Sequence, residues 1–157
     1  MAKDIKLKRS IGKSGEFGTV SRLFRYGLEA FPTYGNKELF DVIATGSGSK
    51  IAKIQVKTTE ELTIQTNFFQ KYYDNGTDSN PDFWVLVHTP SKDTMDFYVL
   101  EHKEVRFEQH KELQRVKKIR ETLNEWASEK KSGFDKIAVS SLINYKDRFD
   151  KIVNFLN

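Results

Sequence analysis

A predicted β-hairpin constrains the fold more than any other part of the chain. Two runs rich in β-branched and apolar residues, 39–45 and 51–58, flank the turn sequence Gly-Ser-Gly-Ser. Such runs on either side of a glycine-containing turn are typical of paired antiparallel strands. If the hairpin folds symmetrically about Gly48, Asp41 faces Gln55, because each lies seven residues from that glycine. A slip of one residue would move Asp41 to the other face.

Side-chain alternation extends this geometry to a lysine. Successive side chains of a strand point to opposite faces, so Gln55 and Lys57 share one face. In the symmetric register Lys57 is the diagonal neighbour of Asp41, at about 7–8 Å. An acid, a carboxamide and a lysine therefore meet on one face of the predicted hairpin.

A first helix is predicted over about 15–27, with Ser14 as its N-cap and Gly27 as its end. Helical spacing puts Glu16 on the same apolar stripe as Leu23, where a carboxylate is costly to desolvate without a partner. The alternative is that Glu16 lies in an exposed first turn and is favoured there by the helix dipole.

The remaining elements complete an ordered series. Residues 59–80 carry several turn signals and predict a long functional loop or an irregular strand. The other predicted elements are an edge segment over 28–34 broken by Pro32, strands over 83–87 and 97–100, a long helix after Glu101 that ends at Gly133, and a last helix over about 144–156. The order of a helix, four or five strands and further helices predicts an α+β or α/β fold with a central mixed β-sheet flanked by helices.

Length and composition limit the possible classes. The 157 residues suit one domain, 1–157, with 1–13 as a basic N-terminal arm and 102–157 as C-terminal helices. The absence of cysteine excludes disulfides, thiolate catalysis and cysteine-ligated zinc. No segment resembles a membrane span or a secretory signal, so we expect a soluble, cytoplasmic protein.

The charge is unevenly distributed. The net charge is +4, and residues 1–13 hold five basic side chains against one acid. Residues 102–131 hold nine basic and six acidic side chains, so the rest of the chain is slightly acidic. This distribution fits a polyanionic partner and a metal site in the centre of the chain. The alternative for the basic helix is an ordinary solvated face.

Hydrolysis of a phosphodiester is the chemistry that this constellation suits best. A divalent cation, usually Mg²⁺, held by one or two carboxylates can activate water and neutralise charge. Asp41 is the predicted central ligand, Glu16 a second ligand, and the Gln55 amide oxygen a third. Lys57 would hold the attacking water and offset charge on the phosphate. Taken singly, each element has an ordinary structural explanation, such as a Gln-x-Lys on the wet face of a sheet.

Three short segments also resemble the PD-(D/E)XK nuclease superfamily: Gly15-Glu16-Phe17-Gly18, Phe40-Asp41-Val42 and Ile54-Gln55-Val56-Lys57-Thr58. The chain is similar in particular to its small bacterial endonucleases with Gln-x-Lys in place of the acid, a group that includes intron-encoded homing enzymes. The resemblance implies a restriction-endonuclease-like core, Mg²⁺ with Mn²⁺ as a substitute, and the Val56 backbone carbonyl as a further metal ligand. Gln55 departs from the wider pattern, in which an acid occupies this position.

The expected substrate is double-stranded DNA, and the expected assembly is a homodimer or higher symmetric oligomer, because cutting both strands needs two sites. Restriction, homing and junction-processing activities all remain open. The alternatives are a catalytically impaired DNA- or protein-binding module on the same fold, and an RNA-processing enzyme.

Several basic and aromatic side chains are candidates for contacts with the nucleic acid. Basic side chains of the long helix would bind phosphates without reading sequence. The tyrosine pair in the 59–80 segment would enter a groove or stack on a base, or else form a small apolar cluster under a loop. The candidate residues are Lys13, Lys71, Tyr72, Tyr73, Arg115 and Lys118.

Overall fold

The computed structural model describes residues 2–34, 40–68, 80–121 and 135–157. In chain order, the elements are α1 (Ala2–Arg25), β1 (Glu29–Pro32), β2 (Val42–Thr45), β3 (Ile51–Thr59), β4 (Thr63–Gln65), β5 (Phe83–Ser91), β6 (Thr94–Glu101), α2 (His102–Glu121), β7 (Lys136–Ala138), a 3-10 helix (Val139–Tyr145) and α3 (Asp150–Leu156). No helix of these ranges is both long and apolar enough to cross a membrane.

The central sheet is mixed and has five strands. Its order is β1-β2-β3-β5-β6, and β3 runs parallel to β5 while the other neighbours are antiparallel. A second sheet joins β4 to β7. The expected α+β class with a central mixed sheet flanked by helices is confirmed, and the small second sheet was not predicted.

The predicted hairpin register is confirmed. Val42 pairs with Ile54 and Ala44 pairs with Ala52, so both pairs are symmetric about Gly48. The first strand of the hairpin, β2, is shorter than predicted. It begins at Val42, and Asp41 lies in the bend just before it.

The first helix begins much earlier than predicted. Residues 2–13, expected as a basic arm, form the first half of α1. Ser14 is not an N-cap, since it lies inside the helix and its hydroxyl donates to the Ile11 carbonyl at 2.7 Å. The lysines and leucine of this segment are good helix formers, and they offset Ser10 and Gly12.

The predicted end of the helix at Gly27 is confirmed. Gly27 has a φ of 78°, a backbone conformation that glycine adopts without steric cost. Its N–H donates to the Phe24 carbonyl at 3.0 Å, and the Leu28 N–H donates to the Leu23 carbonyl at 3.2 Å. This pair of bonds is a Schellman motif, which satisfies the last carbonyls of the helix.

Two apolar clusters cover the two faces of the central sheet. On the first face α1 and α3 pack over all five strands; this cluster contains Leu23, Ala30, Val42, Ile54, Val56, Val85, Phe97, Phe149, Ile152 and Leu156. On the second face, α2, the small sheet and the 3-10 helix cover β5 and β6; this cluster contains Ile64, Trp84, Leu86, Leu100, Val105, Ile137 and Leu142. On the second face of β1, β2 and β3 the side chains are exposed or half-buried.

The C-terminal region also differs from expectation. The last helix, predicted over 144–156, is a 3-10 helix followed by the shorter α3. Asp147 separates them with a φ of 55°, which a continuous α-helix does not allow.

Of the segment 59–80, residues 63–65 form β4, whereas 69–79 lie outside the described residues, as does the predicted helix end at Gly133.

Candidate functional site

The candidate site lies on the uncovered part of the second face. Asp41, Gln55 and Lys57 are half-buried and point away from α1, because their neighbours Val42 and Val56 belong to the cluster under that helix. Gln55 pairs across the parallel strands with Trp84, which is buried. The site therefore sits at the border between the open and the covered halves of this face.

Hydrogen bonds of both the side chain and the backbone hold Asp41 in place although it lies outside a strand. Its Oδ2 accepts the Gln55 side-chain amide at 2.5 Å and the Val56 backbone N–H at 2.9 Å. Its own N–H donates to the Ile54 carbonyl at 2.9 Å. Within the described part of the chain, Oδ1 accepts no hydrogen bond. One oxygen thus anchors the carboxylate and the other is available to a ligand.

The edge of β3 is open beside Asp41. Strand β2 pairs only with residues 51–54 of β3, whereas β5 continues along 54–59 on the other side. The Val56 N–H points to the open edge, since it binds the Asp41 carboxylate there. The N–H and C=O of one strand residue point to the same edge, so the Val56 carbonyl also faces this opening.

Lys57 is held on the same face and has a free ammonium group. Over the described ranges it makes neither a hydrogen bond nor an ion pair. Its positive charge thus lies on the same face as the Asp41 carboxylate, without a direct partner among the described residues. Such a charge is suited to an anion that arrives from solution.

Glu16 approaches from the other side of β3. It lies in the middle of α1, so the alternative of an exposed first turn is wrong. Its side chain is 13% exposed and accepts Lys13 Nζ at 2.6 Å. The preceding residue, Gly15, packs on Thr58, which follows Lys57 in β3. The structure therefore brings Glu16 to the same end of β3, but no hydrogen bond or ion pair joins it to the other described site residues.

The donor set fits a hard divalent cation. The described residues contain no group of three or more histidine, aspartate or glutamate side chains that could hold a metal. A metal here would depend on mixed oxygen donors: Asp41 Oδ1, the Val56 carbonyl, the Gln55 amide oxygen and Glu16. Oxygen ligands with one or two carboxylates and remaining waters are the usual environment of Mg²⁺.

Two of the candidate phosphate-binding side chains pair with acids. Lys13 pairs with Glu16. Arg115, 59% exposed, pairs with Glu112 on the same helix at 2.5 Å. Local pairs on an exposed helix are typical of a solvated face. Lys118 is exposed, and Lys71, Tyr72 and Tyr73 lie outside the described residues.

Sequence reasoning missed an aromatic support behind Gln55. Trp84 Nε1 donates to His102 Nδ1 at 3.1 Å, and Phe68 packs edge-on against both rings. Burial, with a smaller contribution from Arg106, lowers the pKa of His102 below 6.5. No local pattern signals this cluster, because only the parallel pairing of β3 with β5 puts Trp84 beside Gln55.

Comparison with known proteins supports the fold. No family model matches the chain, and no curated protein matches it. Among solved structures, a bacterial homing endonuclease, I-Ssp6803I, is similar with a TM-score of 0.50 at 12% sequence identity, over 92% of this chain and 90% of that one. The central mixed sheet and its flanking helices therefore form a nuclease-like core that this chain shares with the endonuclease.

Proposed function

We propose that this protein is a metal-dependent DNA endonuclease of the PD-(D/E)XK type. The observation that carries the proposal is the anchored Asp41 carboxylate at the open edge of β3, with Lys57, which has no partner among the described residues, on the same face. The nuclease-like fold supports it. The residues assigned to the reaction are Glu16, Asp41, Gln55 and Lys57.

Asp41 and the Val56 carbonyl would hold a Mg²⁺ or Mn²⁺ ion, with Glu16 and the Gln55 amide oxygen as further ligands. When bound, the ion would supply a water of lowered pKa and positive charge beside the phosphate oxygens. Asp41 can bind through Oδ1 and keep the hydrogen bond from the Val56 N–H, which is on Oδ2. The Gln55 bond to the same oxygen is kept only while the Gln55 amide oxygen does not turn to the ion.

Lys57 supplies a positive side-chain charge, which none of the proposed metal ligands does. Its ammonium group has three donors and no competing partner within the described chain. It would orient the attacking water and stabilise the negative charge that grows on the phosphate oxygens in the transition state. The chain's net charge of +4 favours the approach of DNA. A symmetric homodimer would present two such sites to the two strands.

A second candidate is a catalytically impaired DNA- or protein-binding module. One observation favours it: Gln55 presents its amide N–H, and not its oxygen, to Asp41. A pair that only stabilises the hairpin would have this arrangement. Lys57 favours the endonuclease, because in the part of the chain that the structure describes it has no partner and adds nothing to such a pair.

The test is cleavage of supercoiled plasmid DNA with Mg²⁺ or Mn²⁺, beside an EDTA control. Asp41→Ala and Lys57→Ala should abolish cleavage, whereas Asp93→Ala, at an exposed turn, should leave it unchanged. Calorimetric titration with Mn²⁺ on the same proteins covers the case of a recognition sequence that the plasmid lacks. The absence of both cleavage and a binding heat that depends on Asp41 would favour the binding module.

A further inference from the structure

Helix α1 approaches β3 very closely at Gly15. A Cβ atom on Gly15 would lie 1.9 Å from Thr58 Oγ1, 3.0 Å from Thr58 Cβ and 3.1 Å from Thr58 Cγ2. Any side chain at this position would therefore force either the helix or the Thr58 side chain to move. Gly15 itself is buried, so the approach is part of the packed interior.

The glycine is not explained by the helix. Glycine is among the poorest helix formers, and Gly15 lies in the interior of α1. Gly12, three residues earlier, has nothing within 4 Å of the position of its Cβ. Of these two helical glycines only Gly15 is therefore required by packing.

Thr58, against which Gly15 packs, is also in an unfavourable arrangement. The Thr58 hydroxyl is buried under Gly15 and makes no hydrogen bond within the described chain. A buried hydroxyl without a partner costs free energy, so this threonine is not an optimal core residue. The two neighbours of this contact are both residues assigned to the reaction: Glu16 follows Gly15, and Lys57 precedes Thr58.

We propose that Gly15 is a positioning residue, whose missing side chain seats α1 on Thr58 and so sets the position of Glu16 relative to the Asp41–Lys57 face. The proposal rests on the proposed endonuclease function and deepens it. Neighbouring Cα atoms are about 3.8 Å apart, so a displacement at Gly15 is transmitted to Glu16 almost undiminished.

The experiment compares Gly15→Ala with Gly12→Ala, the same change in the same helix without a clash. Both proteins are assayed for DNA cleavage and, by calorimetry, for Mn²⁺ affinity. Gly15→Ala should lower cleavage about 100-fold, as expected for a misplacement of about 1 Å, and should weaken Mn²⁺ binding. Gly12→Ala should behave as the wild type. Adding Thr58→Ala to Gly15→Ala removes the atom at 1.9 Å and should restore much of the loss, which also provides a folded protein if Gly15→Ala unfolds.

A double-mutant cycle separates positioning from general destabilisation. In a Glu16→Ala background, Gly15→Ala should cause no further loss of Mn²⁺ affinity, because Glu16 is the group through which it acts. Additive losses would overturn the inference. If the wild type cleaves DNA and Gly15→Ala is equally active, the inference is overturned but the proposed function stands. A wild type that neither cleaves nor binds metal would overturn the proposed function, and the inference with it.

Discussion

The Gln55 side-chain amide donates a 2.5 Å hydrogen bond to Asp41 Oδ2, just before the point where β2 begins beside β3. The same oxygen accepts the Val56 N–H. Gln55 can offer its amide oxygen to a metal only if the amide turns, which breaks this bond. Metal binding by Gln55 and hairpin stabilisation by Gln55 are therefore competing uses of one side chain.

Gln55→Glu tests this competition. A second carboxylate beside Asp41 would lose the hydrogen bond and raise the pKa of one of the two acids. Without metal we expect the free energy of unfolding of Gln55→Glu to be lower than that of the wild type by about 1–3 kcal/mol at neutral pH. Because the raised pKa lies above the unfolded value, the loss should disappear as the pH falls and one acid is protonated. Mg²⁺ should also restore the stability.

Thermal unfolding from pH 5 to pH 8, with EDTA and with Mg²⁺, measures this effect. The matched control is Gln65→Glu, at an exposed position of β4, which should show neither dependence. A Tm difference for Gln55→Glu that is independent of both pH and Mg²⁺ would contradict the competition.

Lys57→Met should separate activity from stability. We expect cleavage to fall by about 10²–10³-fold, the usual effect of removing one stabilising charge from a transition state. The free energy of unfolding should change by less than about 0.5 kcal/mol, since Lys57 has no partner within the described chain to lose. Kinetics and chemical denaturation on the same preparation measure both, with the exposed Lys136→Met as control. A large loss of stability would indicate a structural role.

Lys13→Ala distinguishes two roles of Lys13, the pairing with Glu16 and a contact with a DNA phosphate. The pair with Glu16 holds a carboxylate that the proposed metal site needs. Lys13 is 49% exposed, so the pair is worth at most about 1 kcal/mol. We expect Mn²⁺ affinity to rise about threefold, with little change in stability. If Lys13 also contacts a phosphate, DNA affinity should fall and the salt dependence should weaken by about one unit of slope. Unchanged Mn²⁺ affinity would remove Glu16 from the ligand set.

His102 should make stability depend on pH. Burial lowers its pKa in the folded protein, whereas histidine in the unfolded chain titrates near 6.5. The unfolded chain therefore binds the proton first, so the contribution is fully present above about pH 6.5 and is lost as the pH falls towards the folded pKa.

We expect Tm to decrease between pH 7 and pH 5, and His102→Gln to show a smaller decrease. Glutamine retains an acceptor for Trp84 Nε1. His110→Gln is the control, because His110 lies on the same helix and is exposed. Equal pH dependence in all three proteins would show that other groups cause it.

Local patterns predicted the parts of the fold that local forces decide. The hairpin register follows from its turn and from side-chain alternation, and the end of α1 at Gly27 follows from the conformation that glycine allows. The extension of α1 to Ala2 was missed. Its first half carries Ser10 and Gly12, which are poor helix formers, and only the summed propensity of the segment favours a helix.

The pairing of Asp41 with Gln55 could thus be obtained from the amino-acid order alone, because both belong to one hairpin. Three other features of the candidate site depend on tertiary structure: the parallel pairing that puts Trp84 beside Gln55, the start of β2 at Val42 that leaves the edge at Val56 open, and the seating of Gly15 on Thr58. The first and the third join segments that are distant in the chain. Contacts of this kind depend on the packing of the whole core, which no short stretch of sequence determines.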